Sequence, residues 1–316
     1  FLFFLLLPSF LSFPHHHHHS PPPPKTTFSP LSLFIMSVPA FSDIAKPAND
    51  LLSRDFYHLA NANLEIKSKA PNGVAFTVKG KSSQKDGSIA GSIEGKYSDK
   101  ATGLTLTQGW STANVLDTKI ELADAFTPGL KGELFTSFFP ESGAKSAKLN
   151  FHFKQPAFHG RAFFDLLKAS GPVFTGDATY GQNGFLVGTE FGYDIANGSV
   201  TKYSSALGYS TPTYTAAVTA TSNLTVFTSS YFHKVSPFTQ IGAKATWDSK
   251  SAAGQGVGLE VGTKHQLDGS AFVKAKINSQ AIASLSYSQA LRPGVTLGLG
   301  ASFDTQKLNQ SAHKLG

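Results

Sequence analysis

No cysteine occurs in the 316 residues, methionine occurs once, at Met36, and tryptophan twice. The first absence excludes disulfides, thiol nucleophiles and cysteine-based metal sites, and leaves the compartment open. Charge is sparse, at 15% of residues. Long apolar runs are missing as well. A membrane-spanning helix needs ~18 or more apolar residues in succession; none is present, although 41% of the chain is hydrophobic and its mean hydropathy is near neutral at -0.09. A helical membrane protein is thereby excluded, but a membrane β-barrel is not, because its signature is alternation alone. Enzyme signatures are missing too. There is no Gly-x-Ser-x-Gly elbow and no phosphate-binding loop ending in Gly-Lys-Ser/Thr, and the pairs Gly256/Gly258 and Gly298/Gly300 lack the third glycine of a dinucleotide fingerprint. We expect no enzyme, no cofactor and no metal site.

What is present is a period of two. In Ala147-Lys148-Leu149-Asn150-Phe151-His152-Phe153-Lys154, apolar and polar side chains alternate strictly, which in a strand places them on opposite faces. Phe185, Val187, Phe191 and Tyr193 likewise oppose Glu190 and Asp194, and Val273, Ala275 and Ile277 oppose Lys274 and Lys276. Turn clusters such as Pro71-Asn72-Gly73, Gln182-Asn183-Gly184 and Leu267-Asp268-Gly269 separate these runs. The pattern predicts an all-β antiparallel meander of about 18 strands between residues 62 and 304, each near the ~9–11 residues that cross a bilayer at a barrel tilt. A barrel of ~16–18 strands encloses water, whereas an eight-stranded one is filled by side chains. Lys148, Glu190, Lys244, Glu260 and Lys274 on the polar face then line a wet interior, and the apolar face meets lipid. The 29 glycines are read as relief of crowding in curved strands and as turn residues. His152, His159, His233 and His265 are read as residues of the interior or the rim.

Residues 1–35 look foreign to the rest. An apolar start, Phe1 to Leu7, has no basic residue before it and is followed by His15–His19 and Pro21–Pro24, so we read this stretch as a non-native or disordered leader. Residues 36–60 hold the one helical segment and 61–316 the sheet. Within Phe41–Phe56, Ile44, Ala48, Leu51 and Leu52 share one face, while Asp43, Lys46, Asn49, Asp50 and Arg54 decorate the other. Pro47 is expected to break this helix or to start its second half.

Several segments carry a family resemblance. Val38-Pro39-Ala40-Phe41-Ser42-Asp43-Ile44, Leu104-Thr105-Leu106-Thr107-Gln108-Gly109-Trp110, Gly129-Leu130-Lys131, Leu291-Arg292-Pro293-Gly294 and His313-Lys314-Leu315-Gly316 are each weak alone. In this order and spacing the chain, over about residues 36–316, resembles the mitochondrial porins, or voltage-dependent anion channels, of fungi. The resemblance implies a transmembrane antiparallel β-barrel in the mitochondrial outer membrane, with the amphipathic segment inside the pore. The family's 19 strands belong to that resemblance and not to the alternation. It further implies a voltage-gated, weakly anion-selective channel for small metabolites, nucleotides and inorganic ions. Membrane lipid and anionic metabolites such as ATP, ADP and phosphate are the expected partners, with a homo-oligomer in the membrane and no nucleic acid.

The implied pore and gating residues are Asp43, Lys46, Asn49, Asp50 and Arg54. Lys131, in the family's tripeptide, and Lys46 are the candidate nucleotide contacts. Gln108 shares parity with Trp110, so both face lipid; some animal members carry glutamate at that position, which this chain does not. The resemblance also implies a closing strand that begins at His313–Gly316 and pairs with the first near Ala62–Ala70. We therefore expect about 18 full strands and a truncated last one. Two alternatives stand beside the channel: the protein-import pore of the same barrel family and a soluble ligand-binding β protein.

Overall fold

The computed structural model describes residues 37–57, 63–82, 88–167, 171–251, 256–292, 295–306 and 314–315. The leader, with its histidine run, lies outside them. The sheet begins with β1 (Asn63–Lys69), β2 (Ala75–Ser82), β3 (Ile89–Asp99), β4 (Leu104–Ser111), β5 (Leu116–Ala123) and β6 (Leu130–Phe139). It continues through β7 (Ala144–Lys154), β8 (Phe158–Asp165), β9 (Val173–Gln182), β10 (Phe185–Asp194), β11 (Ser199–Ser210), β12 (Tyr214–Thr221) and β13 (Val226–Lys234). The remainder is β14 (Thr239–Asp248), β15 (Gly258–Gln266), β16 (Ala271–Asn278), β17 (Ile282–Arg292), β18 (Val295–Asp304) and β19 (Lys314–Leu315). Every strand pairs antiparallel with the next in sequence, from Lys69↔Ala75 between β1 and β2 to Ser302↔Lys314 between β18 and β19.

Register carries the alternation across the sheet. Thr105↔Glu121 and Thr107↔Lys119 join β4 to β5 on one face, and Leu106↔Ile120 and Trp110↔Leu116 join them on the other. The apolar face has no protein cover: Ile89 is 78% exposed and Leu207 61%. Aromatic rings form ladders on it, Phe164 and Phe174 at 4.9 Å, Phe174 and Phe191 at 5.3 Å, and Phe185 and Tyr209 at 4.7 Å between centroids. Gly176 lies beneath the rings of Phe174 and Phe191, which occupy the space its own side chain would need. Rings folded over a strand glycine in this way shield its bare backbone.

Short turns hold the register. In the turn between β15 and β16, the Ser270 hydroxyl and the backbone N–H groups of Ser270 and Ala271 donate to the Asp268 carboxylate at 2.7, 2.6 and 2.8 Å. These bonds hold its carboxyl below the usual carboxylate range. At the start of β6, Gly129 has φ +87°, and a Cβ there would strike the Lys154 carbonyl.

The core sits on the polar face. Nine of the fourteen buried hydrophobic residues, from Val38 to Phe56, belong to the N-terminal segment. Their partners on the sheet include Leu186, Ala206, Ala217 and Phe232. The apolar stripe of this segment is therefore what the polar face buries.

Candidate functional site: the polar face and its docked helix

The N-terminal segment is two pieces, a 3₁₀ turn at Phe41–Asp43 and α1 at Lys46–Ser53. Pro47 lies in the first turn of α1, where its fixed φ suits a helix and its missing N–H is not needed, so it starts the second half as expected. Asp55, at φ +61°, turns the chain away after the helix. As read from the sequence, Ile44, Ala48, Leu51 and Leu52 are buried. Asp43 and Lys46 pair at 3.4 Å on the free side, and Asp50 and Arg54 at 3.3 Å. With Asn49, the five charged or polar candidates are spread over the segment: Asp43 in the 3₁₀ turn, Lys46, Asn49 and Asp50 in α1, and Arg54 just past its end.

The 3₁₀ turn rests on β9 and β10, and α1 on β13, β14 and β15. Glycines shape this seat. A Cβ on Gly188 or Gly208 would stand 2.8 Å from Ile44, one on Gly242 2.7 Å from Leu51, and one on Gly262 2.8 Å from Leu52. Real Cβ contacts are longer, so Ile44, Leu51 and Leu52 each enter a hole that only glycine leaves. The reading of these four glycines as relief of strand crowding is corrected here: their open side receives the helix.

Polar links hold both ends of the segment. The Arg161 guanidinium on β8 donates to both carboxylate oxygens of Asp177 on β9, at 2.7 to 3.0 Å, and also to Ser42 Oγ at 3.1 Å. His159 Nδ1 lies 3.3 Å from the Val38 carbonyl oxygen. At the other end, Lys274 Nζ donates to the carbonyls of Asp50 and Arg54 at 3.0 and 2.7 Å. Ser286 Oγ donates to the Asp55 carbonyl, and Tyr57 Oη reaches Ser288 Oγ at 3.4 Å. Lys274 is thus not a charge lining a wet interior, as its alternation suggested, but a buried ammonium at 2% exposure.

Away from the helix, the polar face is charged. Lys131 on β6 lies 2.7 Å from Glu121 and 2.6 Å from Glu133, and Lys119 lies 2.9 and 3.3 Å from the same two carboxylates. Glu121↔Glu133 are direct cross-strand partners, so the two lysines separate carboxylates that would otherwise repel. Beside this quartet lies a groove of about 400 Å³ lined by Glu94, Lys96, Asp117 and Lys119. Lys131 and Lys46 stand on different elements, Lys131 on β6 and Lys46 on α1, which rests chiefly on β13, β14 and β15.

Gln108 and Trp110 lie on the apolar face, where Trp110 is 55% exposed. The Thr118 hydroxyl donates to Gln108 Oε1 at 2.9 Å, so the amide oxygen has a partner within the sheet. Of the four strand histidines, His152 and His159 face the polar side in register with Arg161 and Lys154. His233 and His265 have the opposite parity, pairing with Ile241 and Val273 near strand ends. Sequence reasoning missed Arg161 and gave Lys274 and the four seat glycines other roles. Arg161 gave a signal, being one of three arginines in the chain and set in a strand beside Gly160.

A sheet that is apolar on one face, charged on the other and carries an amphipathic helix on its charged face has the build of a membrane porin. Comparison with known proteins narrows that class. The family model described as eukaryotic porin matches residues 37–316. The chain is 57% identical over 281 residues to the mitochondrial outer membrane protein porin of Neurospora crassa, covering 89% of this chain and 98% of that protein. With the same coverage it is 56% identical to the porin of Candida albicans and 47% identical to the non-selective voltage-gated ion channel 1 of Saccharomyces cerevisiae. The chain belongs to the eukaryotic porin family. It is a voltage-gated channel of the mitochondrial outer membrane and not an enzyme.

Proposed function

We propose that the sheet closes on itself into a barrel around a water-filled pore, that the N-terminal segment lies inside and narrows it, and that the channel passes small anionic metabolites with a weak preference for anions. The observation that carries this reading is the pairing of faces. Bare apolar side chains over the whole sheet call for lipid, and in lipid an open strand edge leaves unpaired N–H and C=O groups at several kcal/mol each. Closure removes the edge and turns the polar face inward. Asp43, Lys46, Asn49, Asp50 and Arg54 then face the permeation path, where their field acts on passing ions. Lys46 and Lys131 are the lysines we assign to transient contact with the phosphates of ATP and ADP.

The balance of charge supports the selectivity. Lys25 is the only charged residue before Met36, so the remaining chain carries a formal +6. Planar-bilayer recording tests this directly. Anion preference should be weak at 0.1 M salt and fade toward 1 M, as the Debye length falls from ~10 Å to ~3 Å. A reversal potential showing cation preference in the open state at low salt would contradict the assignment. A chain that stays monodisperse without detergent or lipid would end the membrane reading altogether.

A further inference from the structure

Three lysines stand close together on β15 and β16, and each has a different outlet for its charge. Lys264 Nζ lies over the Phe272 ring at 3.9 Å, and Lys276 pairs with Glu260 at 3.3 Å while lying 4.8 Å from the centre of the Phe56 ring. Lys274 turns to the helix. Its ammonium bonds two carbonyls at the C-terminal end of α1, lies 3.7 Å from Asp55 Oδ2 and stands 5.2 Å from the centre of the Phe56 ring. It is the one buried lysine among the described residues.

A two-turn helix has little stability of its own, because nucleation is unfavourable and nearly every residue belongs to an end. The carbonyls at its C-terminal end form the negative end of the helix dipole, and the Asp50 oxygen already accepts the Arg54 N–H at 3.1 Å, so the ammonium adds a second donor there, takes up the Arg54 carbonyl and stabilises this end of the helix. Lys274 does this from the wall, 224 residues away from Asp50. The four glycine holes supply the complementary half, since they accept Ile44, Leu51 and Leu52 only when the helix lies in one register.

We propose that Lys274 is the positioning residue of the pore helix: its ammonium caps α1 from β16 and, together with the sockets at Gly188, Gly208, Gly242 and Gly262, holds the helix in one pose on the wall. This deepens the channel reading above and rests on it for its consequence, which is a fixed constriction with Lys46 and Arg54 turned to the path. Lys274 itself is withdrawn from the permeating ions while the helix is docked.

The absence of cysteine makes a clean test available. Lys274→Cys introduces a single thiol, which can be alkylated in the unfolded chain before refolding into lipid nanodiscs. An aminoethyl group restores an ammonium at nearly the original reach, and a propyl group restores the length without the charge. Hydrogen exchange of the peptide over residues 46–53 is then compared with peptides from β6 to β8. Exchange in the helix should speed up by about tenfold in the thiol and propyl forms and return close to the native rate in the aminoethyl form, with the strand peptides unchanged. Native-like protection in the propyl form would overturn the proposal, as would failure of the aminoethyl form to restore it. Should the Cys variant not refold, Gly242→Ala leaves Lys274 in place and fills one socket. Acylation of Lys274 by a water-soluble reagent, scaled to exposed Lys148, should then rise severalfold, and unchanged labelling would equally overturn the proposal. Because exchange and labelling read the helix and not the current, a chain with this protection pattern but no conductance would count against the pore alone.

Discussion

The wall beneath the helix and the wall away from it share one strand pattern but differ in what their polar-facing positions hold. From β10 to β17 those positions include Gly188, Ala206, Gly208, Ala217, Gly242, Gly262, Ser284 and Ser286, with Gly242↔Gly262 direct partners, set among charged Glu190, Lys244, Glu260 and Lys276. From β1 to β7 they include Glu65, Lys67, Lys79, Lys96, Lys119, Glu121, Lys131 and Glu133. Small side chains make a trough for a helix, and charged ones make a surface for ions. Polar-face position in a strand therefore does not by itself mean contact with water. On one wall it means contact with Ile44, Leu51 and Leu52.

Removing the helix should produce the largest effect and abolish the contrast. Deletion of residues 37–56 takes no residue from any strand pairing among the described residues, so β content by circular dichroism should persist while the trough is laid bare. We expect the voltage-dependent steps to be lost and several conductance levels to appear in bilayer recordings. Unchanged gating would remove the helix from the mechanism.

Arg161→Met breaks the contrast at the border between the two walls. The side chain of Asp177 is 2% exposed and that of Arg161 16%, so the variant leaves a buried carboxylate without its cation and removes the link to Ser42. Breaking a buried pair in this way costs about 3–5 kcal/mol. Lys119→Met, at a side chain 34% exposed, should cost less, because Lys131 still pairs with both Glu121 and Glu133. Chemical unfolding in micelles measures both. Equal losses would mean that the border pair is no more structural than the quartet.

The sequence disclosed the sheet far better than the seat, for a physical reason. Period-two alternation is local, so β7, β10 and β16 could be read strand by strand, and the amphipathic stripe of α1 could be read the same way. The seat is not local. Gly242 in a strand reads as relief of crowding unless Leu51 is known to lie above it, and Lys274 reads as one more polar-face charge unless the end of a helix is known to meet it. Both partners lie about two hundred residues away along the chain. Arg161 was legible only as a rare residue type, because nothing near it in sequence names Ser42.

The smallest expected effect lies on the open wall and concerns Lys131. Its ammonium is shared between Glu121 and Glu133, so the quartet with Lys119 is neutral as a whole, and a phosphate approaching Lys131 must displace a carboxylate already in place. Gly129 explains its own place in the tripeptide through the turn, with Lys154 N–H donating to its carbonyl at 2.8 Å. Of the other two residues of the tripeptide, Leu130 pairs with Phe153 on the apolar face, and Lys131 alone carries a charge that a phosphate could meet. Lys131→Glu changes the quartet from neutral to a formal −2. If Lys131 contacts phosphate, nucleotide block of the current should weaken by about threefold to tenfold, equivalent to ~1 kcal/mol, while chloride conductance changes by less than half. Should both fall in the same proportion, Lys131 acts only through the general field of the pore, and phosphate contact passes to lysines without an ion pair among the described residues, with Lys96 and Lys148 first. Either result sharpens the comparison of the walls, because the helix-bearing wall has spent Lys274 on the helix and Lys276 on Glu260.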